Sequence, residues 1–268
     1  MKLITFFLFF WPVAGFAQSV ALGARSIALS GVESLAREDA GTTFLNPANL
    51  VMAPKFSFWG NYYHPFNLPE LKVQAGAVNY TRRPIALGLG FAEVGNAILH
   101  ERFYVLSFAF SVTKDLATGL KLKQRGLAIQ KYGSAHQYAA DLGLRVRANK
   151  YLSLAVLIKN LFSTRLGKSD EKLLRQISSG VAVHFPHRLE LFFELSQVQF
   201  FAPMARLAFS FQPISFFYLR AGTGLNAPNL FSAGFGLSYA HLRLDYALQN
   251  HPYLQPSHVF SVSLEVGS

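Results

Sequence analysis

The sequence predicts an all-β chain: a transmembrane antiparallel β-barrel of about fourteen strands whose lumen is plugged by its own N-terminal segment. Three observations carry that prediction. Hydrophobic residues make up 51% of the 268 positions and charged residues only 15%, against the roughly 25% charge usual in soluble domains. No apolar run of about 18 residues, the length a membrane helix needs, follows the opening segment. From about residue 55 onward, apolar and polar residues alternate with period two, which sends successive side chains to opposite faces of a sheet. Apolar residues spread singly over the outside of a closed sheet satisfy all three, because only helices and closed barrels pair every backbone group in lipid.

Taken in order, residues 1–17 read as an export signal. Lys2 precedes an almost unbroken apolar run over 3–10, Trp11 and Pro12 end it, and Gly15-Phe16-Ala17 places small residues before a cut at Gln18. The run is too short to span a bilayer. The chain has no Cys, so cysteine-linked lipid, disulfides and thiolate metal sites are excluded, and no cofactor is expected. Its formal charge of +11 suits membrane lipid headgroups, lipopolysaccharide or an acidic solute. Nucleic acid is not an expected partner of an exported chain.

Residues 55–268 divide into fourteen candidate strands: 55–62, 71–80, 84–93, 101–112, 115–125, 137–148, 151–160, 174–185, 187–197, 203–212, 214–222, 230–239, 241–248 and 257–267. In 84–93, Ile85, Leu87, Leu89 and Phe91 oppose Ala86, Gly88, Gly90 and Ala92. In 257–267, Phe260, Val262 and Leu264 oppose Ser261, Ser263 and Glu265. The connections alternate in length: 63–70, 94–100, 126–136, 161–173, 198–202, 223–229 and 249–256 are long, while 81–83, 113–114, 149–150 and the breaks at Pro186, Pro213 and Ala240 are short. Outer-membrane barrels pair short periplasmic turns with longer outer loops and an even strand count, which puts both termini on the periplasmic side. Aromatic residues near strand ends, among them Tyr62, Tyr63, Tyr80, Phe103, Tyr104, Tyr138 and Tyr246, read as girdles at the two headgroup levels.

Residues 18–54 lose the alternation and are rich in small and polar residues. Val32–Arg37 could form a helical turn, and Asn46-Pro47-Ala48 reads as an N-cap followed by proline at the first helical position. A barrel of this size encloses more room than its wall side chains fill, so the segment is a candidate plug, with Asn46, Pro47 and Ala48 as its motif.

The same residues carry a family resemblance. Leu22-Gly23-Ala24-Arg25-Ser26-Ile27-Ala28-Leu29-Ser30-Gly31, Asp39-Ala40 and Phe44-Leu45-Asn46-Pro47-Ala48-Asn49-Leu50, together with Leu244–Leu248 and Phe260–Leu264, resemble the PorV/PorQ family within the FadL-like barrels. Ser30 stands where that family has a glycine, and Glu265-Val266-Gly267 replaces a basic-aromatic-Gly ending. The resemblance implies an accessory or docking role in export across the outer membrane, of the type IX secretion kind, with a secretion-system protein as partner. Its alternative is a FadL-like transporter of hydrophobic or anionic amphipathic small molecules, and a third reading is a structural barrel without ligand.

Candidate chemistry lies on the inward face. Lys121, Lys123, Arg125, Arg145, Arg147, Arg188, Arg206 and Arg243 share it with Asp141, Glu190, Glu194, Asp245 and Glu265. These cations could hold the head of an anionic ligand, or the charges could pair with one another and with the plug. No enzyme is expected. The eight histidines show no metal-binding spacing, and Ser257 and His258, as neighbours on a strand, point to opposite faces and cannot act as nucleophile and base. A transporter predicts an apolar pocket beside the cations and a kink in the wall. A docking protein predicts a filled lumen and an exposed aromatic rim.

Overall fold

A computed structural model describes residues 22–37, 39–226 and 231–266. The export signal at 1–17 lies outside them, as do 18–21 of the segment 18–54. Fourteen strands form one closed antiparallel barrel: β1 Phe56–Tyr63, β2 Lys72–Arg82, β3 Ile85–Gly95, β4 Leu99–Ser111, β5 Leu116–Ile129, β6 Gly133–Arg147, β7 Leu152–Ser163, β8 Gln176–Phe185, β9 Leu189–Val198, β10 Met204–Ile214, β11 Phe217–Leu225, β12 Phe231–Tyr239, β13 Leu242–Gln249 and β14 Ser257–Val266. Each strand pairs with its chain neighbours, and β1 closes the ring on β14 from Phe56 opposite Val266 to Tyr63 opposite Val259. With no free edge, every wall backbone group can be paired without water.

The two faces are inverted relative to a soluble protein. In β14, Ser257, Val259, Ser261 and Ser263 are buried while His258, Phe260, Val262 and Leu264 are exposed. In β3, Leu89 is 57% exposed while Ala86 and Ala92 are fully buried. Large apolar side chains therefore stand on the outside and small or polar ones face in, the architecture of a transmembrane barrel.

The strand boundaries follow the alternation closely, with two corrections at the long-loop end. Strands β5 and β6 run on to Ile129 and from Gly133, so 126–136 is a tight hairpin and not a long loop. Likewise β3 and β4 leave only 96–98 between them. Gly126 and Gly133 interrupt the apolar alternation there, yet the cross-strand hydrogen bonds continue because pairing needs backbone, not side-chain pattern. Two of the aromatics assigned to the girdles are corrected as well: Tyr63 is buried and Phe103 packs on the inner core, while their neighbours Tyr62 and Tyr104 are exposed.

The N-terminal segment holds one short helix, α1 at Ala24–Ala28, and two 3-10 helices at Asp39–Phe44 and Pro47–Met52. No helix forms over Val32–Arg37, because those backbone groups bond to the wall instead: Glu194 accepts from the N–H groups of Glu33 and Ser34 at 3.0 and 2.8 Å. Asn46 does cap the turn it precedes, accepting the Ala48 N–H at 3.0 Å with Pro47 at the first position.

Candidate functional site

The segment's burial comes from inward-facing groups all around the ring. On one side the Ala24 N–H donates to Ser261 Oγ of β14 at 2.8 Å, and on another Ser107 Oγ of β4 donates to the Thr43 carbonyl at 2.8 Å. The Ser34 hydroxyl donates to Glu194 of β9 at 2.6 Å, and Arg206 Nε of β10 to the Ser30 carbonyl at 3.1 Å. The wall makes room by omitting side chains. A Cβ on Gly119 would lie 2.6 Å from the Pro47 carbonyl carbon, and one on Gly143 would lie 2.0 Å from Asn46 Oδ1. Only glycine lets the 3-10 helix at Pro47 approach the wall this closely.

Two charged clusters join segment and wall. In the first, Arg25 sits between Asp39 of its own segment and Asp245 of β13, whose Oδ2 it reaches at 2.7 Å. Arg220 of β11 meets the other Asp245 oxygen at 2.8 Å, and Arg243 approaches Asp39 at 3.5 Å. Burial by itself would raise the Asp39 carboxyl, but the Arg25 and Arg243 guanidinium groups together hold it well below the usual carboxylate range. In the second, Lys121 and Lys123 of β5 both meet Asp141 of β6, at 3.0 and 2.7 Å. Lys121 also donates to the Phe44 and Leu45 carbonyls at 2.8 Å each. Lys159 of β7 pairs with Glu33 of the segment, and that cation keeps the Glu33 carboxyl low although burial opposes it.

The predicted cations separate by what they meet. Lys121 and Arg206 donate to segment carbonyls, and Lys123 faces the lumen beside them, held by Asp141 and Asn160 of the wall. Arg145 is buried and donates to Asn49 Oδ1 at 3.1 Å, and Arg243 borders the mouth at the short-turn end. Arg125 is spent on a two-bond pair with Glu101 of β4, at 2.9 and 2.8 Å. Arg147 is a correction: although its parity is inward, it lies at the strand end with 54% of its side chain exposed, paired with Asp115 at 2.8 Å. Arg188 likewise sits exposed in the β8–β9 turn with a left-handed backbone, so parity does not govern it. Asn46, Pro47 and Ala48 are all buried against the wall.

Three participants escaped sequence reasoning. Arg220 alternates with Leu219 and Ala221, so period two could have found it. Lys159 shares the inward parity of Ser153, Ala155 and Leu157, so period two could have found it too; just beyond it the pairing between β6 and β7 shifts between Ala140 and Leu142, and Asn160 is buried out of turn. The Asp141 carboxylate accepts the Asn160 N–H at 2.8 Å and secures that irregularity. Arg25 lies where no periodicity exists.

Two spaces remain. A cavity of about 110 Å³ lies toward the long-loop end, lined by Leu22, Phe44, Leu45 and Phe103 and by the charged groups of Lys121, Lys159, Glu33 and Asp141. A wider vestibule of about 630 Å³ opens at the short-turn end beside Arg25, Arg220, Arg243 and Tyr218. Tyr218 accepts from Arg243 at 3.4 Å, and both Arg220 and Arg243 stand about 5 Å from its ring.

A closed fourteen-strand barrel with polar lumen and apolar exterior defines the class: the fold is that of the FadL-like barrels. The chain is similar in structure to the toluene transporter TbuX of Ralstonia pickettii, with a TM-score of 0.68 and 11% identity over 92% of this chain and 99% of that one. It is similar also to the toluene transporter TodX of Pseudomonas putida, with a TM-score of 0.68, 13% identity, and coverage of 92% and 98%. A FadL homologue of Pseudomonas aeruginosa gives 0.64 and 12% over 92% and 98%. No family model and no curated protein sequence matches the chain.

Proposed function

We propose that this chain is a bacterial outer-membrane barrel that passes a small hydrophobic or anionic amphipathic molecule. In this reading the signal at 1–17 is removed, residues 18–54 plug the lumen, and both termini and the short turns face the periplasm. Membrane lipid surrounds the belt, and lipopolysaccharide meets the long-loop end. The observation that carries the reading is the 110 Å³ cavity, lined by apolar side chains together with three lysines and the two carboxylates they pair with, beside a segment that touches the wall through polar contacts. An apolar cavity of about 150 Å³ suffices to hold benzene, so the space is of the right order for one small ring. The likeness in fold to the toluene transporters supports transport over the docking role first drawn from the sequence.

Trp59 is the one tryptophan after the signal and stands 5.8 Å from the Phe44 ring that borders the cavity. Titration of the purified barrel with toluene and with decanoate should give a saturable change in its emission. Lys121→Met should weaken decanoate and leave toluene unaffected. Absence of saturation with either compound would overturn the reading.

A second reading, docking of the PorV/PorQ kind, is supported by the filled lumen and by a rim of exposed aromatics at the long-loop end: Tyr132 at 89%, Phe200 at 85% and Tyr253 at 91%. A secretion-system protein that co-purifies with the barrel and is lost on Tyr132→Ser/Phe200→Ser/Tyr253→Ser substitution would favour it.

A further inference from the structure

The short-turn end of the barrel is electrically lopsided. Going round the ring, the β2–β3 connection carries Arg82 and Arg83, the β4–β5 connection Lys114, the β6–β7 connection Lys150 and the β8–β9 connection Arg188, all exposed. Lys55, exposed just before β1, extends the same arc. Across β10 to β14 the corresponding turns carry Pro213, Ile214, Ser215, Phe216, Ala240 and His241, with no Lys or Arg. Asp115 is the carboxylate on the cationic arc, and Arg147 occupies it at 2.8 Å. Among the described residues, Arg82, Lys114 and Lys150 have no ion-pair partner.

The cations stand directly beneath the apolar exterior. Arg82 shares the outward parity of Tyr80, which is 45% exposed, and Lys114 follows Val112, which is 51% exposed. The Lys150 ammonium lies 4.8 Å from the ring centre of the exposed Tyr151, a pairing of cation and aromatic that suits a headgroup level. Cations unpaired within the protein, continuous with a lipid-facing belt and confined to half the circumference, complement phosphate groups at the edge of a bilayer.

We infer that this arc is a binding surface for anionic glycerophospholipid headgroups in the leaflet that the short turns meet. The inference rests on the membrane reading and orientation proposed above. With these cations on one side only, anionic lipid is drawn to that arc and not to the opposite one, which offers it nothing comparable.

The test uses the full mature barrel in a nonionic detergent, probed by native mass spectrometry with phosphatidylglycerol, phosphatidylcholine and lipopolysaccharide. Unmodified protein should retain phosphatidylglycerol in preference to phosphatidylcholine. The variant Arg82→Gln/Arg83→Gln/Lys114→Gln/Lys150→Gln should lose that preference by about tenfold or more, given the surface contribution of each cation. His241→Gln on the opposite arc should change nothing. If the fourfold variant does not fold, as judged by its heat-dependent gel mobility, the double variants Arg82→Gln/Arg83→Gln and Lys114→Gln/Lys150→Gln take its place. Equal retention in variant and parent overturns the inference, as does a preference for lipopolysaccharide or capture of an acidic protein displaceable only by another protein. A chain that stays monomeric and soluble without detergent overturns the membrane reading itself, whereas a detergent-dependent barrel with no lipid preference overturns the arc alone.

Discussion

Around Arg25 the cation belongs to the N-terminal segment and one carboxylate, Asp245, to the wall, while around Lys121 the wall carries both the cations and the central carboxylate. Lys121 and Asp141 are directly opposed across β5 and β6, so Lys121 keeps a carboxylate partner whether or not the segment is present. The segment adds to that cluster the Phe44 and Leu45 carbonyls and Glu33. Withdrawing the segment would therefore leave Lys121 paired within the wall but strip Lys159 of Glu33. It would leave Asp245 with Arg220 and take Arg25 and Asp39 away together. The first anchors the segment through a shared network of charge and the second through backbone hydrogen bonds and one ion pair, Lys159 with Glu33, so the two should respond differently to mutation.

The largest effect belongs to Arg25→Met. It leaves Asp39 paired with Arg243 alone and Asp245 with Arg220 alone among the described residues, and removing one member of a buried pair costs about 3–5 kcal/mol. Trypsin cleavage at Arg37 reads release of the segment, and should accelerate sharply while the barrel's heat-dependent gel mobility persists. Unchanged cleavage would show that the Arg25 cluster does not anchor the segment. Next comes Gly119→Ala, which drives a methyl into the Pro47 backbone. Overpacking of this kind costs about 1–3 kcal/mol, whereas Gly60→Ala, whose Cβ would meet Val262 at 3.5 Å, should be nearly neutral in the same thermal assay.

Acid tests the Arg25 cluster further. The folded Asp39 carboxyl titrates below its ordinary value of 3.8, so its stabilisation is full above that value and fades as pH falls toward the depressed native one. Acid-stable proteolysis should therefore release the segment at about pH 3 and not at pH 5, and Asp39→Asn should weaken the segment at both while flattening the difference. An unaltered pH difference in Asp39→Asn would assign the acid response elsewhere, with Glu33, whose carboxyl is also held low by Lys159, the next to substitute. The smallest effect is that of Arg147→Ala. Its pair with Asp115 is exposed, and such pairs contribute about 0.5 kcal/mol or less, so neither melting nor segment release should move measurably.

Much of the wall was legible from residues alone. Leu89, Phe91 and their small neighbours Gly88 and Gly90 announce a strand whose apolar face looks outward, since a period of two admits no other backbone. The lumen was legible only where that period persists: Lys121, Lys123 and Arg206 fall on the inward parity, Lys121 and Arg206 bonding to the segment and Lys123 to Asp141 beside it. Arg147 has the same parity and meets neither, because inwardness at a strand end opens onto solvent. Lys159 continues the inward parity of Ser153, Ala155 and Leu157 and meets the segment through Glu33, whereas the β6–β7 bulge that follows buries Asn160 out of turn.

By itself the sequence determined the class of fold, the number of strands and which face each regular residue takes, because these depend on local alternation and chain length. Only the tertiary structure decided which charges meet. Arg25 and Asp245 are 220 positions apart, and no local pattern links them; ring closure brings β13 beside the segment, and Gly119 and Gly143 let the segment settle against the wall. That is a consequence of shape and of long-range pairing, which residue spacing does not encode.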